Sequence, residues 1–170
     1  MRKNGCKLRY LKVLAFTLAL GTITVAYADA RAAGDVPHAQ DLHADARDAQ
    51  ARGLPILLVF ASETCSYCIQ VEEDYLKPML ASGEYADRIM IRKLHLRDTR
   101  TLTDFDGSAV EAGVLASRYG VDLVPTLVFV DAQGREIAER LVGLSTVDFY
   151  WGYLLQSIET AQARLRAAAP

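Results

Sequence analysis

The sequence contains little cysteine, which limits how the chain can be cross-linked. Only three of its 170 residues are cysteines. Cys6 lies near the N-terminus, whereas Cys65 and Cys68 are separated by two residues. A disulfide between such close residues closes a very small loop and adds little stability, so a disulfide-stapled scaffold is excluded. A chain of this length can bury a hydrophobic core without cross-links.

Histidine is equally scarce, and the sequence lacks the ligand set of a structural zinc site. Such a site usually combines two closely spaced pairs of Cys or His. Cys65 and Cys68 form one pair, but His38, His43 and His95 are scattered without ligand spacing. We therefore predict no metal and no organic cofactor, and we interpret the histidines as solvated or packing residues.

Acidic residues are absent from the N-terminal end, where none precedes Asp29. This end carries five basic residues, then the apolar run 13–20 and the small-residue sequence Ala26-Tyr27-Ala28. These features are typical of a secretory signal, so we predict a cleaved signal peptide over 1–28 and a periplasmic protein. The alternative is an uncleaved membrane anchor facing the periplasm. It is disfavoured because the apolar segment is shorter than the ~20 residues of a membrane span.

Positive charge is in short supply beyond the signal. After residue 28 the chain holds 21 acidic and 14 basic residues, a net charge of about −7. An acidic surface argues against nucleic acid or an anionic membrane as partner. We find no internal repeat, and we predict a flexible segment over 29–37 followed by one domain over 38–170, which we expect to be monomeric.

The hydrophobic pattern predicts an α/β domain. The predicted elements are helix 38–52, strand 54–60, a helix from Cys65, strand 88–96, helix 109–119, strand 126–130, strand 136–142 and helix 146–168. The apolar run 54–60 is typical of a strand buried on both faces. The polar stretch 98–107 predicts a turn.

Individual residues indicate where the predicted helices end and which side they bury. Gly53 suits the position after a helix, and Pro78 should kink or end the helix that starts at Cys65. The apolar stripe of that helix leaves Glu72, Glu73 and Asp74 pointing elsewhere. The last helix is predicted to have its N-cap at Ser145 or Thr146 and to bury Phe149, Tyr153 or Leu154, Ile158 and Ala161.

The sequence Cys65-Ser66-Tyr67-Cys68 lies where the buried strand gives way to a helix. The N–H groups of a helix's first turn are unpaired and partially positive, so they stabilise a thiolate. Cys65, at the helix end, is predicted to be the nucleophile. Cys68, one turn further and more buried, is predicted to resolve the mixed disulfide.

Segments beyond the cysteines resemble the thioredoxin family. Residues 51–60 are similar to the strand before its motif, 119–127 (Tyr-Gly-Val-Asp-Leu-Val-Pro-Thr-Leu) to its V-P-T segment, and Gly134 and Gly143 to its later glycines. The resemblance extends over residues 50–157. Within the family, the sequence is most similar to the exported, SoxW-like thioredoxins, whose motif is C-x-Y-C. The resemblance implies a thioredoxin fold: a central mixed sheet of about four strands flanked by helices, here with an N-terminal helical extension.

The resemblance also implies roles for individual residues. Pro125 is expected to follow a cis peptide bond that faces the cysteines, and Val124 to offer its backbone to the partner. Ser66 and Tyr67 are expected to contact the partner, and spacer residues of this kind influence redox potential in the family.

Two departures from the thioredoxin pattern concern the environment of the cysteines. Thr64 replaces the family's tryptophan, and Val59 replaces its buried aspartate, which assists proton transfer. Lys93 aligns with a family lysine near that aspartate. We therefore predict that Glu63, Thr64 and Lys93 tune the cysteine pair, although a solvated role is the alternative for Glu63.

These features together predict an exported thiol–disulfide oxidoreductase that reduces disulfides of partner proteins. A membrane protein would then supply its electrons, because the exported compartment is oxidising. The sequence has no inserted helical domain of the DsbA kind and no added dimerisation domain. Two alternatives remain: a dithiol oxidase of the same fold, accepting electrons from partner dithiols, and a non-catalytic binding or chaperone module with an inert disulfide.

Overall fold

The computed structural model describes residues 34–144 and 147–168. The predicted signal peptide 1–28 and the predicted N-cap residues Ser145 and Thr146 lie outside these ranges. Across the ranges that are described, no helix has both the length and the apolar character needed to cross a bilayer.

The described chain contains alternating helices and strands, as the hydrophobic pattern predicts. The helices are α1 (Leu42–Arg52), α2 (Ser66–Val71), α3 (Lys77–Ser82), α4 (Ala112–Arg118) and α5 (Val147–Ala168). The strands are β1 (Ile56–Ala61), β2 (Met90–His95), β3 (Thr101–Thr103), β4 (Ala109–Glu111), β5 (Thr126–Val130) and β6 (Leu141–Val142). A π-helical turn, Glu72–Leu76, joins α2 to α3.

Four strands form the main sheet in the order β2-β1-β5-β6. Strand β1 is parallel to β2, and β5 is antiparallel to both β1 and β6. All six residues of β1 are buried, which confirms the strand predicted from its continuous apolar run. This is the mixed sheet of the thioredoxin fold, with β1 in the interior of the sheet and its C-terminal end leading to the cysteines.

The side chains of β1 alternate between two hydrophobic cores, one on each face of the sheet. Leu57 and Val59 belong to the core shared with the cysteine-bearing helix and α5. Ile56, Leu58 and Phe60 belong to the core shared with α1 and α4. Covering both faces of the sheet with helices fixes the direction in which the end of β1 points.

The first helix begins later than predicted. Asp41 is its N-cap, accepting a hydrogen bond from the Ala44 amide (2.8 Å), so residues 38–41 are not helical. Gly53 follows the C-terminus with a φ of 66°, as predicted. Leu42 is fully buried at the start of the helix and anchors it to the sheet.

Residues 36–39, named here the edge segment, lie along β2. Val36 is fully buried. The Lys93 amide donates to the Pro37 carbonyl (2.7 Å), and the Ala39 amide donates to the Lys93 carbonyl (2.9 Å). Part of the segment predicted to be flexible therefore contacts the sheet and covers the outer edge of β2.

The helix after the cysteines does not end at Pro78. Instead it widens into the π-helical turn and then continues as α3 to Ser82. Pro78 falls in the first turn of α3. A proline lacks the N–H of a regular helical bond and its ring crowds the preceding turn, so the wider turn before it accommodates the ring.

The stretch predicted as a turn and helix start contains a β-hairpin, β3–β4, so helix α4 begins only at Ala112. The hairpin is held by Asp104, which is 1% exposed and accepts hydrogen bonds from Arg118 (2.6 Å) and the Phe105 amide (2.8 Å). Its backbone also bonds to residues next to α1, since the Thr103 amide donates to the Gln40 carbonyl.

The C-terminal elements differ from the prediction in two respects. Strand β6 is confined to Leu141–Val142, and just before it the Glu139 carbonyl accepts a hydrogen bond from Ser157 of α5 (3.0 Å). Helix α5 buries Tyr150, Leu154, Ile158 and Ala161, whereas Phe149 and Tyr153 are exposed. Tyr150 takes the buried position because its ring packs against Tyr75, with centroids 4.7 Å apart.

Candidate redox site

Cys65 caps the N-terminus of α2. Its backbone is extended, and its sulfur accepts a hydrogen bond from the Cys68 amide (3.1 Å). An N–H group aimed at the sulfur stabilises a negative charge on it. Cys65 is half-buried and both cysteines are free thiols. The predicted position of the Cys65 sulfur, at the junction of the strand and the helix, is therefore confirmed.

Cys68 lies one turn further and is 2% exposed. Burial raises the pKa of its thiol to about 12, and the hydrogen bond with Cys65 acts in the same direction. The Cys68 thiol therefore keeps its proton at neutral pH. Any step in which this sulfur attacks requires a group that accepts that proton.

The loop before β5 lies against Cys65. The Val124–Pro125 peptide bond is cis, as the resemblance implies. The Cys65 thiol donates to the Val124 carbonyl at 3.6 Å, so the backbone of Val124 adjoins the Cys65 sulfur. Pro125 is buried, and its carbonyl accepts a hydrogen bond from the Gly143 amide (2.7 Å). This contact ties the loop to the end of β6.

The surface around Cys65 is exposed and partly apolar. Ser66, in the first turn of α2, is exposed, and the side chain of its neighbour Tyr67 is directed to solvent. Leu123, in the loop before Pro125, is also exposed. Ser66 and Tyr67 directly follow Cys65, and Leu123 precedes the Val124 carbonyl that contacts its sulfur, so exposed side chains lie in both segments that meet at Cys65.

The structure separates the three residues predicted to tune the cysteines. Glu63 is exposed and its carboxylate lies 3.5 Å from Nδ1 of His95, while the hydroxyl of Thr64 lies 3.4 Å from that of Ser62. Lys93, in contrast, is buried on β2. It pairs in register with Val59 of β1, on the core face that also contains the cysteine-bearing helix.

Glu72 is a site residue that the sequence pattern assigned elsewhere. Its carboxylate accepts a hydrogen bond from Lys93 Nζ (2.7 Å), and both side chains are largely buried. Glu72 follows Cys68 by four residues, so it occupies the next turn on the same side of the helix. Its negative charge contributes to the raised pKa of Cys68. The signal that could have identified it is this spacing combined with Lys93, which aligns with the family lysine near the buried aspartate.

Among the described residues, no cluster of three or more His, Cys, Asp or Glu side chains is arranged to hold a metal ion. His38 and His95 pack edge to face, with ring centroids 4.9 Å apart. Desolvation lowers the pKa of His38, and the nearby positive charge of Lys93 acts in the same direction.

The chain is similar in sequence to proteins of thiol–disulfide exchange. A family model described as a thioredoxin-like domain matches residues 42–157. The thiol:disulfide interchange protein DsbD of Ralstonia nicotianae is 25% identical over 118 residues. The match covers 69% of this chain and 18% of that protein, so the chain spans less than a fifth of the length of this relative.

Solved thioredoxin structures also align with the chain. A thioredoxin-fold protein from Helicobacter pylori is 22% identical with a TM-score of 0.44, covering 74% of this chain and 92% of that one. A thioredoxin from Nicotiana alata is 21% identical with a TM-score of 0.45, covering 73% and 96%. The family model spans most of the chain, from α1 to α5, and includes both cysteines and Pro125. The chain therefore belongs to the thioredoxin-like domain family.

Proposed function

We propose that this protein is an exported thiol–disulfide oxidoreductase that reduces disulfides of partner proteins through Cys65 and Cys68. The observation that carries the proposal is the position of the Cys65 sulfur. It accepts a hydrogen bond from the Cys68 amide at the N-terminus of α2. It also lies 3.6 Å from the Val124 carbonyl, beside the cis peptide bond. A nucleophile that accepts a backbone N–H and lies next to the backbone of the cis-proline loop suits attack on an extended substrate.

The proposed reaction has two exchange steps. The Cys65 thiolate attacks one sulfur of the partner disulfide, forming a mixed disulfide, and the other partner sulfur leaves as a thiolate that takes up a proton. Cys68 then loses its proton and attacks the Cys65 sulfur. The Cys65–Cys68 disulfide forms, and the second partner sulfur leaves as a thiolate. Two electrons pass from the protein to the partner, and a protein dithiol must return them before the next cycle.

The second step depends on a proton acceptor for Cys68, whose pKa is raised to about 12. We assign this role to Glu72, one turn below Cys68 and on the same side of the helix. Lys93 orients the carboxylate through the 2.7 Å hydrogen bond and compensates its charge in the buried site. Lys93 thus tunes the pair through Glu72, while Val59 leaves no carboxylate on β1 at that register.

The partner is proposed to bind as an extended segment over the exposed surface around Cys65. Val124 offers its backbone, and Ser66, Tyr67 and the cis-proline loop contact the residues on either side of the partner cysteine. Direct contact between protein groups is sufficient for this chemistry, which needs no metal or organic cofactor. Glu63 and Thr64, at the rim, are assigned no chemical step.

Export and the direction of electron flow rest on separate arguments. The N-terminal signal pattern supports the periplasm, as does the similarity to part of a thiol:disulfide interchange protein. In an oxidising compartment a reductant requires a membrane protein as electron donor. The same cysteine geometry run in reverse would make an oxidase, so the reduction potential decides between the two.

The test of function uses the protein without its signal segment and its single-cysteine variants. With Cys68→Ser, a partner disulfide should be trapped as a mixed disulfide on Cys65, whereas Cys65→Ser should trap none. The wild-type protein, kept reduced by dithiothreitol, should accelerate the reduction of insulin. A reduction potential near the about −270 mV of thioredoxin supports a reductant, whereas one near the about −120 mV of DsbA assigns an oxidase. A disulfide that exchanges with nothing would contradict both and indicate a binding module.

A further inference from the structure

The sheet has one edge whose backbone groups face away from the other strands. Strand β6 is the last in the order, and Val142 lies opposite Thr126 of β5. The Gly143 amide bonds to the Pro125 carbonyl (2.7 Å), which identifies Thr126 and Val142 as a non-hydrogen-bonded pair of the antiparallel ladder. The N–H and C=O of Val142 therefore point away from β5, to the outer edge.

A groove of about 520 Å³ runs between this edge and helix α5. Strand β6 contributes Leu141 and Val142 to one side. Helix α5 contributes Tyr153, Gln156 and Thr160 to the other side, which is mainly polar. The volume lies within the about 300–1,000 Å³ typical of ligand sites. A groove with a strand edge that no other described strand covers on one side, and hydrogen-bonding side chains on the other, suits a polypeptide backbone.

Tyr150 supplies an independent indication that something binds here. It lines the groove, it is only 2% exposed, and within the described ranges its hydroxyl has no hydrogen-bond partner. Buried hydroxyls are nearly always paired, because an unpaired one costs about 1–3 kcal/mol. A partner carbonyl in the groove would accept this hydrogen bond once the Tyr150 ring turns towards it, because the hydroxyl itself is buried in the free protein.

The groove is continuous with the loop that adjoins Cys65. Gly143 lines its upper end, and the amide of this residue holds the Pro125 carbonyl. The side chain of Leu123 reaches the same point, since a Cβ on Gly143 would lie 3.5 Å from it. An extended partner segment that passes the Cys65 sulfur beside Val124 can therefore continue along β6 into the groove.

We propose that the outer edge of β6 and the adjoining groove bind the extended backbone of the partner protein, next to the cysteine that is attacked. The partner adds a short strand to the sheet, with its backbone paired to the N–H and C=O of Val142 and to the Tyr150 hydroxyl. Edge strands bind extended peptides in this way because their unpaired groups match those of another strand. This inference rests on the proposed function and specifies how that site holds its substrate.

The experiment compares a protein disulfide with a small one. Val142→Pro removes the outward N–H at an edge position where proline is tolerated, and Val142→Thr is the matched control that keeps it. The probes are insulin, which has a backbone to dock, and hydroxyethyl disulfide, which has none. Val142→Pro should raise the KM for insulin several-fold, up to about tenfold, because one backbone hydrogen bond contributes up to about 1.4 kcal/mol. Its rate with hydroxyethyl disulfide should match that of Val142→Thr.

A second variant covers the case in which proline distorts the strand. Tyr150→Phe removes the hydroxyl and little else, so it should leave the melting temperature unchanged or raised while it raises the KM for insulin. A purely structural role would instead lower the melting temperature and leave the KM unchanged.

Three outcomes would overturn the inference. Insulin kinetics that are identical in Val142→Pro, Tyr150→Phe and the wild type would overturn it while leaving the proposed function intact. A wild-type dimer in sedimentation that Val142→Pro dissociates would show that a second copy occupies the edge. Failure of the wild type to reduce either probe would overturn the proposed function, and the docking site with it.

Discussion

The Nζ of Lys93 lies 2.7 Å from Oε2 of Glu72, joining strand β2 to the helix that carries the cysteines. The two side chains are 8% and 13% exposed, so the pair is a buried one. Thioredoxins carry a buried aspartate on the strand before the cysteines, and by the sequence resemblance this chain has Val59 at that position. Here the lysine is retained, and the carboxylate comes from one turn below Cys68.

Replacing the carboxylate tests whether it handles the Cys68 proton. We expect Glu72→Gln to slow release of the partner from Cys65 about a hundredfold at neutral pH, the usual contribution of a general base. Attack by Cys65 should be unchanged. Because Glu72 helps to raise the pKa of Cys68, the pH profile of the release step should also shift to lower pH. Rapid quenching with an alkylating agent separates the two steps.

The control for this experiment is Glu73→Gln, the adjacent residue in the same turn. Glu73 is exposed and pairs with Lys77 at the surface, so both steps should keep their wild-type rates and pH profiles. A Glu72→Gln protein with wild-type release kinetics would remove Glu72 from the mechanism.

Removing the cation tests the energetic coupling of the buried pair. Lys93→Met leaves the Glu72 carboxylate buried without a partner, so we expect the free energy of unfolding to fall by about 3–5 kcal/mol. The double variant Lys93→Met/Glu72→Leu removes both charges and should recover most of this loss. Urea denaturation of the oxidised protein measures both. Lys77→Met, at a more exposed pair, should cost less than about 1 kcal/mol.

The stability of the reduced protein should decrease at alkaline pH. Burial raises the pKa of the Cys68 thiol to about 12, whereas a cysteine in an unfolded chain ionises at about 8.5. Between these values the folded protein retains a proton that the unfolded chain loses, so the free energy of unfolding falls as pH rises. The contribution is complete below about pH 8.5 and disappears towards pH 12.

The oxidised protein is the internal control, because its Cys65–Cys68 disulfide has no thiol to titrate. Burial also raises the pKa of Tyr119 and of Tyr150, but these residues act in both redox forms. The urea midpoint should therefore fall more in the reduced than in the oxidised protein. Equal losses in the two forms would contradict a buried, protonated Cys68.

Gly134 is predicted to be the least replaceable glycine of the described turns. Its φ is 73°, and a Cβ there would lie 2.9 Å from the ring of Phe105. Gly134→Ala should lower the free energy of unfolding by about 3 kcal/mol, combining left-handed backbone strain with a steric clash. Gly120 has a φ of 61° and open space around it. Gly120→Ala should therefore lower the free energy of unfolding by the backbone strain alone, about 1 kcal/mol. Thermal melts of the two variants provide the comparison.

The parts of the fold that could be predicted from the sequence are those with a local signal. The apolar run of β1 and Gly53 after α1 were located by their own chemistry, and the change from this run to helical spacing placed Cys65 at the helix start. The cis bond before Pro125 was available only through the resemblance, because composition does not distinguish it from an ordinary proline.

The parts that escaped prediction depend on contacts between distant segments. The hairpin β3–β4 reads as a turn because it is short and polar, and it is held by Arg118, which lies beyond it in the chain. Glu72 reads as solvated because an apolar stripe alone does not reveal that a buried lysine faces it. Tyr150 is buried in place of the predicted Phe149 because its ring packs against Tyr75, which belongs to a distant segment.

The edge segment 36–39 gives the main sheet unequal sides. It pairs with Lys93 and so blocks the outer side of β2 at this residue, while in the described chain the outer side of β6 carries no paired strand. Polymerisation by strand stacking requires each molecule to offer two bare sides, one to give and one to receive. A molecule with a single bare side can accept one guest strand and then stops, which permits reversible docking without growth into fibres.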